Sequence, residues 1–248
     1  MLCRRRAEAQ PEVQPAKRQG AFGGRMMRKY DTILFDLDGT LLDSLEDMKD
    51  SVNYVMRQFG FPEHALEEVR SFIGNGIRKL IERSVPAGTD GETCERALAM
   101  YRGYYNDHCM IKTHPYEGIS ELLQNLKSDG YRLAIVSNKN AEAVKLMRQR
   151  YFDGVIDVAL GQTDNIPKKP DPSMVSAALE ALQATPQRAV YVGDSEVDIQ
   201  TAKNSGLDCI TCLWGFRSEE FLMEHAAQKT VRSAQELAEA LEALDETV

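Results

Sequence analysis

Five apolar runs of strand length, separated by amphipathic stretches of helical length, constrain this chain more than any other feature of its sequence. The runs are Thr32-Ile-Leu-Phe35, Arg132-Leu-Ala-Ile-Val136, Val155-Ile-Asp-Val-Ala159, Ala189-Val-Tyr-Val192 and Cys209-Ile-Thr-Cys-Leu213. Between them, residues 118–129, 140–150, 173–184 and 196–205 repeat apolar positions with helical spacing and are bounded by turn residues. Strands apolar on both faces and spaced by helices belong in a parallel sheet covered on both sides, which is the α/β class. In such sheets a ligand sits beyond the carboxyl ends of the strands. The residues directly after each run are therefore where chemistry is expected.

One gap breaks the alternation. From Ser44 to about Lys112, helical patterns near 44–59, 65–72, 76–84 and 91–108 follow one another with no strand between them. Connections in compact domains are short, so this segment reads as an inserted all-helical subdomain over the carboxyl edge of a Rossmann-like, doubly wound core. The expected organisation is a core of residues 30–43 and 113–248 with a helical cap at 44–112.

Composition narrows the setting. The chain has 248 residues, 43% hydrophobic and 27% charged, an ordinary globular balance. No stretch free of Asp, Glu, Lys and Arg reaches ten residues, against about 20 apolar residues for a membrane-spanning helix. The net charge of −8 argues against a nucleic-acid partner held by phosphate attraction. Residues 1–29 nevertheless hold eight basic side chains against Glu8 and Glu12. This Gln-, Pro- and Gly-containing stretch reads as a disordered basic extension, with Met26 and Met27 as an alternative start. The five cysteines, an odd number at irregular spacing, imply a reducing compartment and a cytoplasmic location. Cys209 and Cys212 fall in a buried-strand pattern, where no neighbour stabilises a thiolate. Nothing in these features sets an oligomeric state.

The strand ends supply a coherent inventory. The first run leads into Asp36-Leu-Asp-Gly-Thr40, where Asp36 and Asp38, two residues apart, face one way. Two carboxylates together at a sheet edge are costly unless a cation neutralises them or one keeps a proton. The second run ends in Ser137-Asn138-Lys139-Asn140, a hydroxyl and backbone N–H groups at a helix start, with Asn140 also suited to cap that helix. Lys168-Lys169-Pro170-Asp171-Pro172 follows the third run, and its prolines hold the lysine pair in a non-helical loop. The fourth ends in Gly193-Asp-Ser-Glu-Val-Asp198, adding Asp194 and Asp198. Carboxylate pair, hydroxyl, lysine and carboxylate pair are what a hard divalent cation and a phosphoryl group require.

Asp36-Leu-Asp-Gly-Thr40, Ser137-Asn138, Lys169-Pro170 and Gly193-Asp-Ser-x-x-Asp198 resemble, in this order, the four motifs of the haloacid dehalogenase superfamily. The resemblance spans about residues 30–230. The insertion after Asp43 is similar to the helical cap of the subgroup holding phosphoglycolate phosphatase, β-phosphoglucomutase, pyrophosphatase-like enzymes and the dehalogenases. The resemblance implies a phosphomonoester hydrolase in which Asp36 attacks phosphorus and Asp38 serves as acid and base. It implies Mg²⁺ on Asp36, the Asp38 main-chain carbonyl and Asp194, with Asp198 orienting the water shell of the ion. Thr40, Ser137, Asn138 and Lys169 are expected at the phosphoryl oxygens.

Asp38 disfavours a dehalogenase, which protonates no leaving alkoxide. Gly39-Thr40 departs from the Gly-Val of the mutases and favours the hydrolase. The substrate implied is a small phosphorylated metabolite, 2-phosphoglycolate first. A sugar-phosphate mutase or a pyrophosphatase is the alternative, and a non-catalytic binding protein on the same fold is the remotest. Substrate choice is expected in Gly74-Asn75-Gly76 with Arg78, resembling the cap loop that enters the active site in phosphoglycolate phosphatases; Asn75 and Arg78 are the candidates to meet a carboxylate.

Overall fold

The computed structural model describes residues 28–74 and 76–245. Nearly all of the basic extension, the start at Met26 and Met27, and Asn75 lie outside the described residues. In chain order the strands are β1 (Thr32–Phe35), β2 (Leu42–Asp43), β3 (His114–Pro115), β4 (Arg132–Asn140), β5 (Val158–Gln162), β6 (Ala189–Gly193), β7 (Asp208–Cys212) and β8 (Lys229–Val231). The helices are α1 (Leu45–Phe59), α2 (Leu66–Phe72), α3 (Ile77–Ser84), α4 (Gly91–His108), α5 (Ile119–Ser128), α6 (Ala141–Tyr151), α7 (Ser173–Ala181), α8 (Glu196–Ser205), α9 (Glu219–Glu224) and α10 (Ala234–Asp245).

Six strands form one sheet in the order β5-β4-β1-β6-β7-β8, and every pairing in it is parallel. The chain runs outward from β1 through β4 to β5, then returns to the other side of β1 and continues through β6. That reversal makes the carboxyl end of β1 the topological switch point.

Side-chain alternation along the strands divides the core. Ile33 and Phe35 of β1, Leu133 and Ile135 of β4, and Val190 and Val192 of β6 share one buried cluster with α5, α6 and α10. Leu34, Ala134, Val136 and Tyr191 point to the opposite face, against Met174, Val175 and Ala178 of α7 and Ala202 of α8. At roughly 1.5–3 kcal/mol for each large apolar side chain fully buried, both faces reward a single register. A one-residue slip would exchange them.

Several strands differ from expectation: β4 runs on to Asn140, β7 spans Asp208–Cys212, β5 starts later and β8 is additional. β5 starts at Val158 because Asp157 is committed to Leu133: its N–H donates to the Leu133 carbonyl at 2.9 Å and its carboxylate accepts from the Leu133 N–H at 3.0 Å. β8, a three-residue edge strand beginning with Lys229, was too short and polar to stand out by pattern.

Helices α1–α4 fill the gap between β2 and β3, which pair as an antiparallel neck through Leu42 with Pro115 and Asp43 with His114. Just inside the neck, the buried Asp47 of α1 accepts from the N–H groups of Ile111 at 3.1 Å, Lys112 at 3.0 Å and Thr113 at 2.8 Å, and from the Thr113 hydroxyl at 2.7 Å. One carboxylate thus ties the start of the insertion to its return. Tyr54 of α1 stacks on Tyr104 of α4 with ring centroids 3.8 Å apart. The apolar stripes of these helices, including Val52, Met56, Leu80 and Leu98, join the same cluster as the sheet. Among the described residues no helix is long and apolar enough to cross a membrane.

Candidate active site

Asp36 follows β1, its N–H held by the Val192 carbonyl at 2.9 Å. The chain then turns sharply at Gly39, whose φ of 90° suits glycine. A Cβ there would stand inside 3 Å of the Asp194 carboxylate, and so would one at Gly215. Two glycines therefore let backbone close around Asp194. The Phe216 N–H donates to that carboxylate at 2.8 Å and the Thr40 hydroxyl at 3.3 Å.

Lys169 lies at the centre. Its ammonium, on a side chain only 3% exposed, is 2.8 Å from Asp36 and 2.8 Å from Asp198, and donates to the Tyr191 hydroxyl at 3.0 Å. Asp198 also accepts from the Ser195 N–H at 3.1 Å and hydroxyl at 2.6 Å, a capping arrangement at the start of α8. Carboxylate oxygens of Asp36, Asp194 and Asp198 lie within 4.8 Å of one another.

The electrostatics follow from this crowding. Burial, opposed by Lys169 and reinforced by the charges of Asp198 and Asp38, pushes the Asp36 carboxyl up to about 7. Burial and the charges of Asp198 and Asp36 push Asp194 well above the carboxylate range, against the Phe216 N–H. Burial works against the Lys169 charge, but Asp198 and Asp36 outweigh it and hold the lysine well above its ordinary value. Three carboxylates around one ammonium form a hard-oxygen cluster short of positive charge, and the donor set fits a divalent cation such as Mg²⁺.

The strand-end residues thus converge, with three differences in detail. Thr40 is buried and gives its hydroxyl to Asp194, holding that carboxylate rather than facing a phosphoryl group. Asn138 spends its amide on the Lys169 backbone, donating to the carbonyl at 3.0 Å and accepting from the N–H at 2.7 Å, so it pins the lysine loop to β4. Arg78 is exposed and paired with Glu95 of α4 through its two terminal guanidinium nitrogens, and is not among the residues lining the cavity. Ser137, Gly74 and Gly76 do line the cavity, an open space of about 830 Å³ between the sheet edge and the inserted helices. Asn140 caps α6, accepting from the Ala143 N–H at 2.8 Å.

Sequence reasoning missed Lys139. Its ammonium lies 2.9 and 3.0 Å from the two Asp38 oxygens and hydrogen-bonds the Tyr105 hydroxyl of α4. Asp38 also accepts from the Ser44 hydroxyl at 2.5 Å. The signal was a second cation directly after Ser137-Asn138, masked by the expectation that this turn offered a hydroxyl and N–H groups. Sequence reasoning also passed over Arg217, which pairs with Glu196 at 2.9 Å and donates to the Ile73 carbonyl at 2.6 Å, joining the sheet edge to the cap loop. Cys209 and Cys212 are unpaired thiols, Cys209 pushed up to about 12 and Cys212 well above the ordinary thiol value, burial leading in both.

The sequence profile of the haloacid dehalogenase-like hydrolases matches residues 33–212, from β1 through β7. The chain belongs to the haloacid dehalogenase-like hydrolase family. Within the family it is 35% identical over 185 residues to a phosphoglycolate phosphatase of Aquifex aeolicus strain VF5, covering 74% of this chain and 85% of that protein. A phosphoglycolate phosphatase of Nitrosospira multiformis is 36% identical over 195 residues, with 74% and 83% covered. Among solved haloacid dehalogenase-like structures, one from Lactobacillus delbrueckii subsp. bulgaricus, provisionally assigned as a phosphoglycolate phosphatase, superposes with a TM-score of 0.82 at 37% identity, over 86% of this chain and 98% of that one.

Proposed function

We propose that this protein is a Mg²⁺-dependent phosphomonoester hydrolase that works through an aspartyl-phosphate, with 2-phosphoglycolate as its substrate. The observation that carries the reaction is the ammonium of Lys169 held at 2.8 Å by both Asp36 and Asp198 within a cluster of three carboxylates. The substrate rests on the relatives, two of which bear the name phosphoglycolate phosphatase.

Asp36 attacks phosphorus, making a carboxylate–phosphorus bond as the ester oxygen leaves. Asp38 gives its proton to the departing oxygen. It then takes one from water, which attacks the same phosphorus, frees inorganic phosphate and restores Asp36. Ser137 and Lys169 hold the phosphoryl oxygens; the gain is positioning and charge stabilisation. Asp36, Asp194 and the Asp38 main-chain carbonyl would hold Mg²⁺, with Asp198 beside them. When bound, Mg²⁺ would keep Asp36 ionised and screen the approach of a phosphate dianion to an acidic site. Thr40 and Phe216 fix Asp194, and Asn138 fixes the loop of Lys169.

Residues 44–112 act as the cap that chooses the substrate, and residues 30–43 and 113–248 as the catalytic core. The unpaired cysteines support work in the cytoplasm, in a reducing milieu. The test is phosphate release from 2-phosphoglycolate with Mg²⁺ and with EDTA, for the wild type and for Asp36→Asn. Turnover is expected only in the wild type with metal. Turnover by repurified Asp36→Asn would overturn the mechanism.

A further inference from the structure

Arg78 pairs with Glu95 and does not line the cavity, so a substrate carboxylate needs another receptor. Of the cationic side chains lining the cavity, Lys169 is taken by Asp36 and Asp198, and Arg217 by Glu196 and the Ile73 carbonyl. Arg102 is exposed to solvent. Lys139, 3% exposed, is likewise paired, but with Asp38, the residue that meets the leaving oxygen, so its ammonium stands beside the leaving group. In 2-phosphoglycolate a single carbon separates the ester oxygen from the carboxylate. An ester oxygen within hydrogen-bonding reach of Asp38 therefore brings the carboxylate to the neighbourhood of the Lys139 ammonium.

A second observation marks the same corner. Tyr101 of α4 lines the cavity, stacks on Tyr105 with ring centroids 5.3 Å apart, and is 1% exposed, yet its hydroxyl has no hydrogen-bond partner among the described residues. A buried hydroxyl left unpaired costs about 1–3 kcal/mol, and phenylalanine would fill the same space without that cost. One turn further along α4, the Tyr105 hydroxyl already holds Lys139. An orphan donor beside a buried ammonium suits an anion that pairs with the hydroxyl and shares the ammonium with Asp38.

We propose that Lys139 and Tyr101 receive the substrate carboxylate and thereby set the preference for a carboxylated phosphomonoester. This rests on the phosphoglycolate reading above. The two residues act on specificity, one from the end of β4 and the other from the cap, so a substrate that engages both bridges the two parts.

The experiment compares kcat/KM for 2-phosphoglycolate with that for ethyl phosphate, which lacks only the carboxylate, in the Mg²⁺-loaded wild type, Tyr101→Phe, Lys139→Met and Arg78→Ala. The wild type is expected to favour 2-phosphoglycolate. Tyr101→Phe is expected to lower that ratio by about tenfold or more, the worth of a hydrogen bond to a charged group. It should melt no lower than the wild type, since it deletes an unpaired hydroxyl. Arg78→Ala should keep the wild-type ratio. A wild type with no preference would overturn the substrate reading and this inference with it. A wild-type preference that survives intact in Tyr101→Phe, or falls equally in Arg78→Ala, would overturn the inference alone. Because Tyr101→Phe keeps the ring, it decides the matter even where Lys139→Met is inactive or fails to fold.

Discussion

Burying Asp36, Asp194 and Asp198 around the one ammonium of Lys169 leaves the cluster short of positive charge. Asp36 is pushed up to about 7 because burial outweighs Lys169. Lys169 keeps its proton because two carboxylates outweigh its burial. Replacing it with a neutral side chain removes both the counter-charge of Asp36 and a phosphoryl contact. Lys169→Met is expected to lower kcat/KM by about a hundredfold or more, the scale of losing one preorganised charge-stabilising donor. Steady-state phosphate release at saturating Mg²⁺ measures it, and a loss below about tenfold would remove Lys169 from the reacting centre. Residue types at the strand ends announced this chemistry, but not which donor each acceptor would win. Thr40 and Asn138 carry groups that could meet a phosphate; in the folded chain Asp194 takes the first and the Lys169 backbone the second. Spacing places a residue on an element, and the competition for its hydrogen bonds is decided by neighbours 31 residues away for Asn138 and 154 for Thr40.

At the scale of elements, the insertion stays in place through its neck as much as through its apolar stripes. Asp47 satisfies three consecutive backbone N–H groups, of Ile111, Lys112 and Thr113, where the chain re-enters the core. Asp47→Ala removes the acceptor of those donors, of which Thr113 is buried while Ile111 and Lys112 are exposed, and a loss of about 1–3 kcal/mol of stability is expected. A urea titration followed by circular dichroism checks it; a loss under about 0.5 kcal/mol, the size of a surface substitution, would show that the neck is held elsewhere. The four helices of the insertion were legible because their apolar spacing is regular and turn residues bound them. β8 was not legible, since three residues beginning with lysine offer no period to read. Lys139 escaped for a related reason: its meaning comes from Asp38, which the pairing of β1 with β4 brings to it, and from Tyr105, which the inserted helices supply.

For the molecule as a whole, charge and stability meet at the cation site. A carboxyl raised to about 7 in the folded protein keeps its proton where the unfolded chain, at about 4, has lost it. Metal-free protein therefore loses stability as pH rises from the unfolded value to the folded one. A cation that replaces the proton restores that stability, and it binds best once the proton has gone. The rise in Tm on adding Mg²⁺ is thus expected to be larger one pH unit above the Asp36 value than one unit below, and to shrink in Asp194→Asn; an equal rise at both would contradict the assignment. The parallel sheet was readable from alternating runs alone, because it follows from burial on two faces; the strand order that puts the switch point at β1 was not. The most direct test of the central claim is to quench a single turnover of an isotopically labelled aryl phosphate, whose leaving oxygen needs no proton from Asp38, and map the label on the protein, using Asp38→Asn to slow release of the phosphoryl group. The account predicts a phosphoryl group on the peptide carrying Asp36 and none when Asp36 is also replaced by Asn; label on another residue would contradict it.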